Sequence, residues 1–362
     1  MSDSTNKKRP APLSFKPDLE DAARRFDAFF AGDLIDRPPV CITAPRRGRT
    51  LPPRLTYHDR VHRDIDEILD ITLQTAEATY YGGEAMPKFW PSLATDEVAA
   101  FCGAEIKFSA DSGDTNWAVP FVEDWDTVLP LRLREDAPLW QRMRKLLQRY
   151  ADRLAGKMLV MPLDLHTNMD LLMSIRGSER LCMDLIDQPE MIDRAMDSAR
   201  AVFRELWDAI TADARMYEHG FAHDVYSMEG AATLQCDFSC MIGPEMFRRW
   251  VLPALEEEAA IVKHVMYHWD GPDAVKHADD LIASKGLHTL GYVPGAGHGT
   301  HIDHLDLLRK IQNGGKAVYV WGPPEQIMAI HPHLKPEKTL YWSWAKTEDD
   351  ARKLVDWLAK NT

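Results

Sequence analysis

The hydrophobic pattern of the chain is clearest between residues 262 and 297. Val262–Trp269 is a short run of β-branched, aromatic and aliphatic residues, which predicts a buried strand. The next segment opens with Pro272 and repeats apolar residues at helical spacing, which predicts an amphipathic helix. A second apolar run follows at Leu287–Val293. Strand, helix and strand within about thirty residues predict a βαβ unit whose two strands are parallel.

The same alternation of strands and helices extends over most of the chain. Further strands are predicted at Pro39–Ala44, Lys157–Leu165, Asp224–Met228, Lys316–Trp321 and Thr339–Trp344. Helices are predicted at Leu19–Phe30, His62–Thr79, Trp140–Leu154, Leu171–Ile186 and Pro189–Tyr217. With an eighth strand inside the irregular stretch Tyr80–Trp125, the pattern predicts an α/β fold of the (β/α)8 TIM-type barrel class. The alternative is a doubly wound open sheet, which is disfavoured because no G-x-G-x-x-G follows the first strand.

Composition narrows the classes of partner and compartment. The formal net charge of -13 argues against nucleic acid and anionic membrane as main partners. Five cysteines are few and odd in number, which indicates reduced thiols in a cytoplasmic compartment. Residues 1–18 have no apolar core of the secretory-signal kind, so we expect a flexible N-terminal tail there. We expect residues 19–362 to form one barrel domain.

Polar side chains stand where several predicted strands end. His268 and Asp270 close the strand that begins at Val262, and they share one strand face because the side chain between them points away. Active sites of α/β folds lie at the carboxyl ends of parallel strands. Three more candidates stand at or just after other predicted strands: Asp164, Glu229 and Asp237. We therefore expect these five side chains to project into a common cavity.

Each candidate also has a plainer interpretation. A single histidine at a strand end, such as His268, is more often a hydrogen-bonded structural residue than a ligand. Asp237 is a base or ligand on one interpretation and merely caps the following turn on the other. Glu229 needs a partner if it is buried. Cys236 and Cys240 are four residues apart, but the glycine and proline soon after them indicate a loop, which favours two buried thiols over a shared chemical role.

Five residues are candidates for binding a substrate. Arg46 and Arg49 flank a glycine just past the first strand, where they could form a carboxylate-binding fork or a solvated basic loop. Trp117 lies in the irregular stretch, where it either lines a pocket or covers the barrel. Asn168 follows the strand that ends near Asp164, and Tyr292 belongs to the second strand of the βαβ unit.

Three segments carry a family resemblance: HWDGPDAVKHADDLI from His268, QCDFSCMIGPEMFRRWVLP from Gln235 and SIRGSERLCMDLIDQPE from Ser174. They resemble the uroporphyrinogen decarboxylase superfamily, which contains a haem-pathway decarboxylase and methyltransferases that act with corrinoid proteins. The resemblance implies a TIM-type barrel, uroporphyrinogen decarboxylase-like, with its cleft at the carboxyl ends of the strands. Barrels of this superfamily often pair, so we expect a homodimer.

The resemblance also suggests a metal. Zinc methyltransferases of this superfamily carry H-x-C on the corresponding strand, and this chain has His268, Trp269 and Asp270 there. Zinc accepts nitrogen, sulfur and carboxylate ligands. We therefore expect His268, Glu229 and Cys236 to hold zinc, with Asp237 or Asp270 as alternative ligands.

The functional hypothesis is a methyltransferase that passes a methyl group from a small methylated substrate to a corrinoid on a separate protein. Asp270, Asp237 and Asp164 would act beside His268 as acid, base or orienting groups. Arg46 and Arg49 would anchor an acidic substituent. Two alternatives stay open: a cofactor-free decarboxylase of a carboxylated substrate, and a catalytically inactive binding barrel.

Overall fold

The structure, a computed structural model, describes residues 10–109 and 115–362. Its strands are β1 (Val40–Pro45), β2 (Thr79–Gly83), β3 (Lys88–Phe89), β4 (Glu105–Phe108), β5 (Asn116–Val119), β6 (Leu159–Val160), β7 (Phe221–Ala222), β8 (Tyr226–Ser227), β9 (Ala231–Gln235), β10 (His264–Asp270), β11 (Thr289–Val293), β12 (Ala317–Trp321) and β13 (Thr339–Trp344).

The α-helices of the described residues are α1 (Leu19–Ala31), α2 (Tyr57–His62), α3 (Ile65–Ala78), α4 (Glu97–Phe101), α5 (Pro138–Leu154), α6 (Asn168–Arg176), α7 (Ser178–Asp187), α8 (Pro189–Asp213), α9 (Met216–His219), α10 (Pro244–Met246), α11 (Leu252–Val262), α12 (Ala278–Ala283), α13 (Leu305–Asn313), α14 (Pro324–Ile330) and α15 (Glu348–Asn361). Short 3-10 turns occupy Trp125–Thr127, Asp237–Met241, Pro272–His277, His301–His304, His331–His333 and Pro336–Lys338. A π-helical turn, Phe247–Val251, joins α10 to α11. No helix in the described part of the chain is long and apolar enough to cross a membrane.

A largely parallel sheet forms the centre of the fold. Its strand order is β2-β1-β13-β12-β11-β10-β9, and only the β1–β2 pair is antiparallel. Helices bury the strands. Successive side chains along each strand point alternately to the face covered by helices and to the opposite face of the sheet. The predicted βαβ unit is confirmed, since β10 and β11 run parallel and pair His268 with Gly291.

Shorter strands extend the sheet beyond β9. β3 pairs in parallel with β6, and a parallel bridge joins Leu165, just after β6, to Leu234 of β9. β3 supplies a parallel strand inside the stretch Tyr80–Trp125, where one was predicted. Two antiparallel hairpins, β4–β5 and β7–β8, stand outside the parallel arrangement.

The predicted strand at Asp224–Met228 is wrong. The strand that pairs with β10 is β9, and it begins three residues after Met228, at Ala231. Tyr226 and Ser227 form only the second arm of the β7–β8 hairpin. The alanines in Ala231–Gln235 have low strand propensity, so the sequence pattern did not predict a strand there. Pairing with β10 makes the segment a strand.

Part of the predicted N-terminal tail packs against the body of the protein. Residues 1–9 lie outside the described residues, but Leu13 and Lys16 are buried. The backbone N–H of Ser14 donates to the Gly156 carbonyl at 3.1 Å, and the Lys16 ammonium donates to the Gly83 carbonyl at 2.6 Å. The predicted tail at 1–18 is therefore too long.

Helix α1 covers the amino ends of two neighbouring strands. Phe30 stacks on His264, the first residue of β10, with ring centroids 4.0 Å apart. Phe29 and Phe30 each meet the ring of His288 at 5.0 Å, immediately before β11 begins. Burial lowers the pKa of His288 to about 4, so its neutral ring suits this apolar contact.

Candidate functional site

Three potential ligand side chains converge at the carboxyl ends of β9 and β10. His268 and Asp270 end β10, and Asp237 opens the turn that follows β9. Because β10 pairs His268 with Gln235, the two strand ends lie side by side. One ligand atom from each of Asp237, His268 and Asp270 lies within 4.8 Å of the other two. The predicted convergence of these three residues is what the structure shows.

Helix α6 holds Asp237 in this position. The carboxylate of Asp170, in the first turn of α6, accepts the backbone N–H of Asp237 at 3.0 Å and that of Phe238 at 2.9 Å. Asp170 is fully buried. A buried carboxylate that accepts two backbone N–H groups fixes the turn after β9 without lending its own oxygens to the cluster.

His166 lies between two carboxylates beside the cluster. Its Nε2 is 3.6 Å from the Asp164 carboxylate and its Nδ1 is 3.6 Å from that of Asp170. Burial opposes the charged ring, but hydrogen bonding to Asp170 and the charges of Asp164, Asp170 and Asp237 outweigh it and raise the pKa of His166 to about 10. His166 is therefore a cation at neutral pH.

The electrostatics give Asp237 and His268 unusual protonation behaviour. Burial, followed by the nearby charge of Asp170, raises the pKa of Asp237 to about 7, and His166 opposes the rise. Burial also lowers the pKa of His268, against the attraction of Asp270. At neutral pH His268 is an uncharged imidazole, and Asp237 exchanges its proton readily. Its Oδ1 is buried and has no hydrogen-bond partner among the described residues.

Asp164 borders the cluster through its neighbours. Its carboxylate accepts the side-chain N–H of Gln235 at 2.7 Å, and its backbone N–H donates to Ser92 at 3.0 Å. The Asp164 charge acts on both Asp237 and His268. Asp164 therefore stands next to the three-residue cluster.

Glu229 does not join the site, and the metal set predicted with it needs correction. It precedes Gly230 and β9, whereas the cluster lies past the carboxyl ends of β9 and β10. Its carboxylate lies 3.4 Å from His264, the first residue of β10 and four residues before His268. Four residues of strand span about 13 Å. Placing the strand at Asp224–Met228 put Glu229 at the wrong end of the sheet.

Cys236 is also outside the cluster of Asp237, His268 and Asp270. Its side chain is 2% exposed and is adjacent to Asp170 and Tyr267. Burial, reinforced by the charges of Asp170 and Asp237, raises the pKa of the Cys236 thiol well above its ordinary value. Cys240 is a free thiol as well, so the interpretation as two unpaired structural thiols fits better than a ligand role.

The arginine loop does not form a fork at the site. Arg46 donates to the Thr79 carbonyl at 3.1 Å. Arg47 pairs with Asp349 at 2.8 Å, and Arg49 is exposed. The three guanidinium groups are thus directed to separate places rather than to one carboxylate.

The other predicted substrate-binding residues are placed differently from one another. Asn168 is fully buried at the start of α6, and its amide donates to the Gln235 carbonyl at 3.2 Å and lies 3.4 Å from Glu258. Tyr292 is buried against Trp269, on the face of β11 that points away from His268. Both side chains are therefore buried within the protein, whereas Trp117 is 45% exposed on the β4–β5 hairpin.

A second polar network fills the interior on the same side of the sheet. The Asp224 carboxylate accepts hydrogen bonds from Thr233 at 2.7 Å and Tyr319 at 3.1 Å, and it lies 2.9 Å from the His223 ring. Lys88 donates to the His223 carbonyl. Burial opposes ionisation of Asp224, but His223 and its hydrogen bond outweigh it and hold the pKa of Asp224 below its usual range. The Asp224 charge also acts on His268.

Sequence reasoning missed His166 and Asp170 as site residues. They are four positions apart, so a helical start near residue 166 would have placed both on one face with Asp164 close by. That spacing is a weak signal without the fold, because it becomes meaningful only once α6 is seen to face the turn after β9.

Comparisons with known proteins bear on the fold. No family model and no curated protein sequence matches the chain. Among solved structures, the chain is similar to a methyltransferase from Methanosarcina mazei, with a TM-score of 0.60 and 13% sequence identity. The similarity covers 94% of this chain and 98% of that chain. The two proteins share their fold over nearly their whole lengths.

Proposed function

We propose that the chain is a metal-dependent methyltransferase. It takes a methyl group from a small methylated substrate and passes it to a corrinoid carried on a separate protein. Asp237, His268 and Asp270 hold the metal, for which zinc is the best candidate. The observation that carries the proposal is the convergence of their ligand atoms within 4.8 Å at one end of the parallel strands.

The donor set fits zinc. Zinc in catalytic sites takes three protein ligands from nitrogen, oxygen and sulfur and leaves a fourth position open. His268 offers a neutral imidazole, and Asp237 offers a buried oxygen that has no hydrogen-bond partner among the described residues. An orphaned buried carboxylate oxygen is costly, and a cation compensates that cost. The fold shared with a methyltransferase is consistent with this chemistry.

The residues around the cluster supply orientation and protons. When bound, zinc would act as a Lewis acid on the oxygen, nitrogen or sulfur that loses the methyl group. Asp170 fixes Asp237 through the backbone, so the ligand geometry is set before substrate arrives. His166 holds a proton beside Asp164, and the pair can deliver it to the leaving atom.

The edge of the sheet that carries the cluster suits a protein partner. Exposed apolar side chains end or follow four of the parallel strands at this edge: Leu51, Met241, Ile302 and Trp344. Exposed apolar groups at one edge of a fold favour docking of another protein. A corrinoid-carrying partner seated there would bring its cofactor to His268.

The closed (β/α)8 barrel is part of the same proposal. The Leu165–Leu234 bridge and the β3–β6 pair extend the sheet past β9. On the other side, the backbone N–H of Glu84 donates to the Val40 carbonyl of β1 at 2.9 Å. These contacts support closure between β3 and β1.

The cofactor-free decarboxylase lacks a comparable basis. That reaction needs cations to hold substrate carboxylates, and of the predicted pair Arg46 donates to the Thr79 carbonyl while Arg49 is exposed. The groups around His268 are mainly carboxylates.

Metal binding and methyl transfer test the proposal together. Purified protein should contain stoichiometric zinc, and His268→Ala and Asp237→Asn should each lower zinc affinity at least tenfold. Glu229→Gln is the matched control, since this carboxylate lies at the other end of the strands and its loss should leave zinc binding unchanged. Methyl transfer to a corrinoid should then be assayed by absorbance with methanol, methylamine and methanethiol as donors.

Absence of zinc, or a His268→Ala variant that binds zinc like the wild type, would reject the mechanism. Zinc binding without transfer from any donor would favour the binding-barrel alternative.

A further inference from the structure

A cavity lies between the turn His301–His304 and helix α14, and none of Asp237, His268 and Asp270 lines it. Its volume is about 120 Å³. Buried His301 and Val320 line it, and Ile302, Glu325 and Ala329 line it where it meets solvent. The cavity therefore combines a protected interior with an open entrance.

His301 is the most informative residue of this cavity. Its side chain is 5% exposed, and its Nε2 has no hydrogen-bond partner within the described residues. Burial lowers the pKa of His301 to about 4, against hydrogen bonds from the ring to the backbone of Tyr292 and Trp321, so the ring is neutral at physiological pH. A neutral imidazole has one unprotonated nitrogen, which accepts a hydrogen bond. A buried polar atom without a partner is uncommon in folded proteins.

The rest of the lining favours a positively charged ligand. Glu325 contributes a carboxylate and Gln326 an amide oxygen, while none of the lining residues is lysine or arginine. Trp321 forms an aromatic wall, and its ring centroid lies 4.1 Å from that of His301. Acceptor groups, a carboxylate and an aromatic ring together suit an ammonium group. Ile302, Ala329 and Ile330 provide apolar surface for a hydrocarbon body.

We propose that this cavity binds a small primary alkylammonium ion, with its nitrogen between His301 and Glu325. The volume of about 120 Å³ limits the ligand to the size of a compact aliphatic amine, because an apolar cavity of roughly 150 Å³ accommodates benzene. The inference does not rest on the proposed metal site, because Asp237, His268 and Asp270 do not line the cavity, although Ile302 belongs both to its lining and to the exposed apolar residues of the proposed docking edge.

Three ligands of similar shape test the charge preference. We would titrate the wild-type protein, in buffer that contains a chelator, with isobutylammonium, isobutanol and isobutyrate. Calorimetry measures the affinities, and the indole N–H signal of Trp321 in ¹H–¹⁵N spectra reports binding at the cavity. Isobutylammonium should bind saturably and shift the Trp321 signal. Isobutanol should bind at least tenfold more weakly, and isobutyrate should not bind.

Two variants locate the site. Ala329→Leu fills the cavity and should abolish binding, while Glu325→Gln should bring the affinities for the ammonium and the alcohol within about threefold of each other. Glu245→Gln is the matched control, since Glu245, like Glu325, is an exposed acid directly after a helix-opening proline. The Glu245→Gln variant should bind all three ligands with the same affinities as the wild type.

Failure of wild-type protein to bind isobutylammonium, or equal affinity for the alcohol, would overturn the inference. So would binding that persists in a folded Ala329→Leu variant.

Discussion

The carboxylate of Asp170 accepts the backbone N–H of Asp237 at 3.0 Å. This bond joins the first turn of α6 to the strand end that carries the candidate metal ligands Asp237, His268 and Asp270. Because Asp170 binds the backbone of Asp237, the Asp237 side chain remains available to bind a metal ion. In metal sites, such supporting contacts typically contribute 10–100-fold to affinity.

Asp170→Ala is therefore expected to weaken zinc binding roughly 10–100-fold, because the turn loses its anchor. It should also lower the free energy of unfolding by about 1–3 kcal/mol, since two buried N–H groups lose their acceptor. Calorimetric zinc titration and urea unfolding measure the two effects. Asp96→Ala is the control, because Asp96 accepts the Ala118 N–H at 2.9 Å away from the cluster. It should destabilise the protein without changing zinc affinity, and equal loss of affinity in both variants would contradict the assignment.

His166→Gln should destabilise the metal-free protein most strongly at low pH. The folded-state pKa of about 10 lies above the ordinary value of 6.5, so the stabilisation by His166 is complete below pH 6.5 and lost as pH rises through 10. Unfolding in urea at pH 6 should show a loss of about 3–5 kcal/mol, because carboxylates lose their buried cation. The difference should shrink towards pH 10.

His268→Gln provides the opposite sign. Burial lowers the pKa of His268, so the wild type loses stability relative to this variant as pH falls below 6.5. The measurement is the free energy of unfolding of each variant relative to the wild type as a function of pH. If this difference changed with pH in the same direction for both histidine variants, the assigned protonation states would be wrong.

Glu258→Gln should flatten the pH dependence of stability between pH 5 and 8. Burial raises the pKa of Glu258 to about 8 against hydrogen bonds from Thr167 and Asn168. The folded protein therefore holds a proton that the unfolded chain has lost, and wild-type stability falls as pH rises through this window. One pKa unit corresponds to about 1.4 kcal/mol, so the shift from 4.5 to about 8 predicts that the variant gains roughly 3–4 kcal/mol on the wild type between pH 5 and pH 8. Glu245→Gln, which changes an exposed acid, should leave the slope unchanged.

Gly291→Ala should disturb the wall beside His268. An added Cβ would lie 2.8 Å from the Met266 sulfur and 3.2 Å from the Tyr319 ring. Overpacking of this kind costs about 1–3 kcal/mol. Gly243→Ala is the control, since its added Cβ meets nothing within 4 Å. Thermal unfolding and zinc titration should show a loss for the first variant and none for the second.

The sequence predicts the fold well where apolar runs are long. Thr339–Trp344 has the predicted bounds, and β10 begins two residues after its predicted start at Val262. β9 was missed because alanines give little strand propensity, and only pairing with β10 makes Ala231–Gln235 a strand. The same error assigned Glu229 to the cluster.

The site follows the same division. Alternation along one strand is a local property, so His268 and Asp270 could be assigned to one face from sequence. Asp170 and His166 could not be identified in this way, because their role depends on how α6 faces the end of β9. Contacts between distant segments are set by tertiary packing, which a single sequence does not display.

The stacking of Phe30 of α1 on His264 covers the amino end of β10, four residues before His268. On the proposed function, the methyl donor and the acceptor protein therefore both approach His268 from the carboxyl ends of the strands. Turnover should then be ordered, with the methyl donor bound before the acceptor protein docks and the demethylated product released after the methylated acceptor has left.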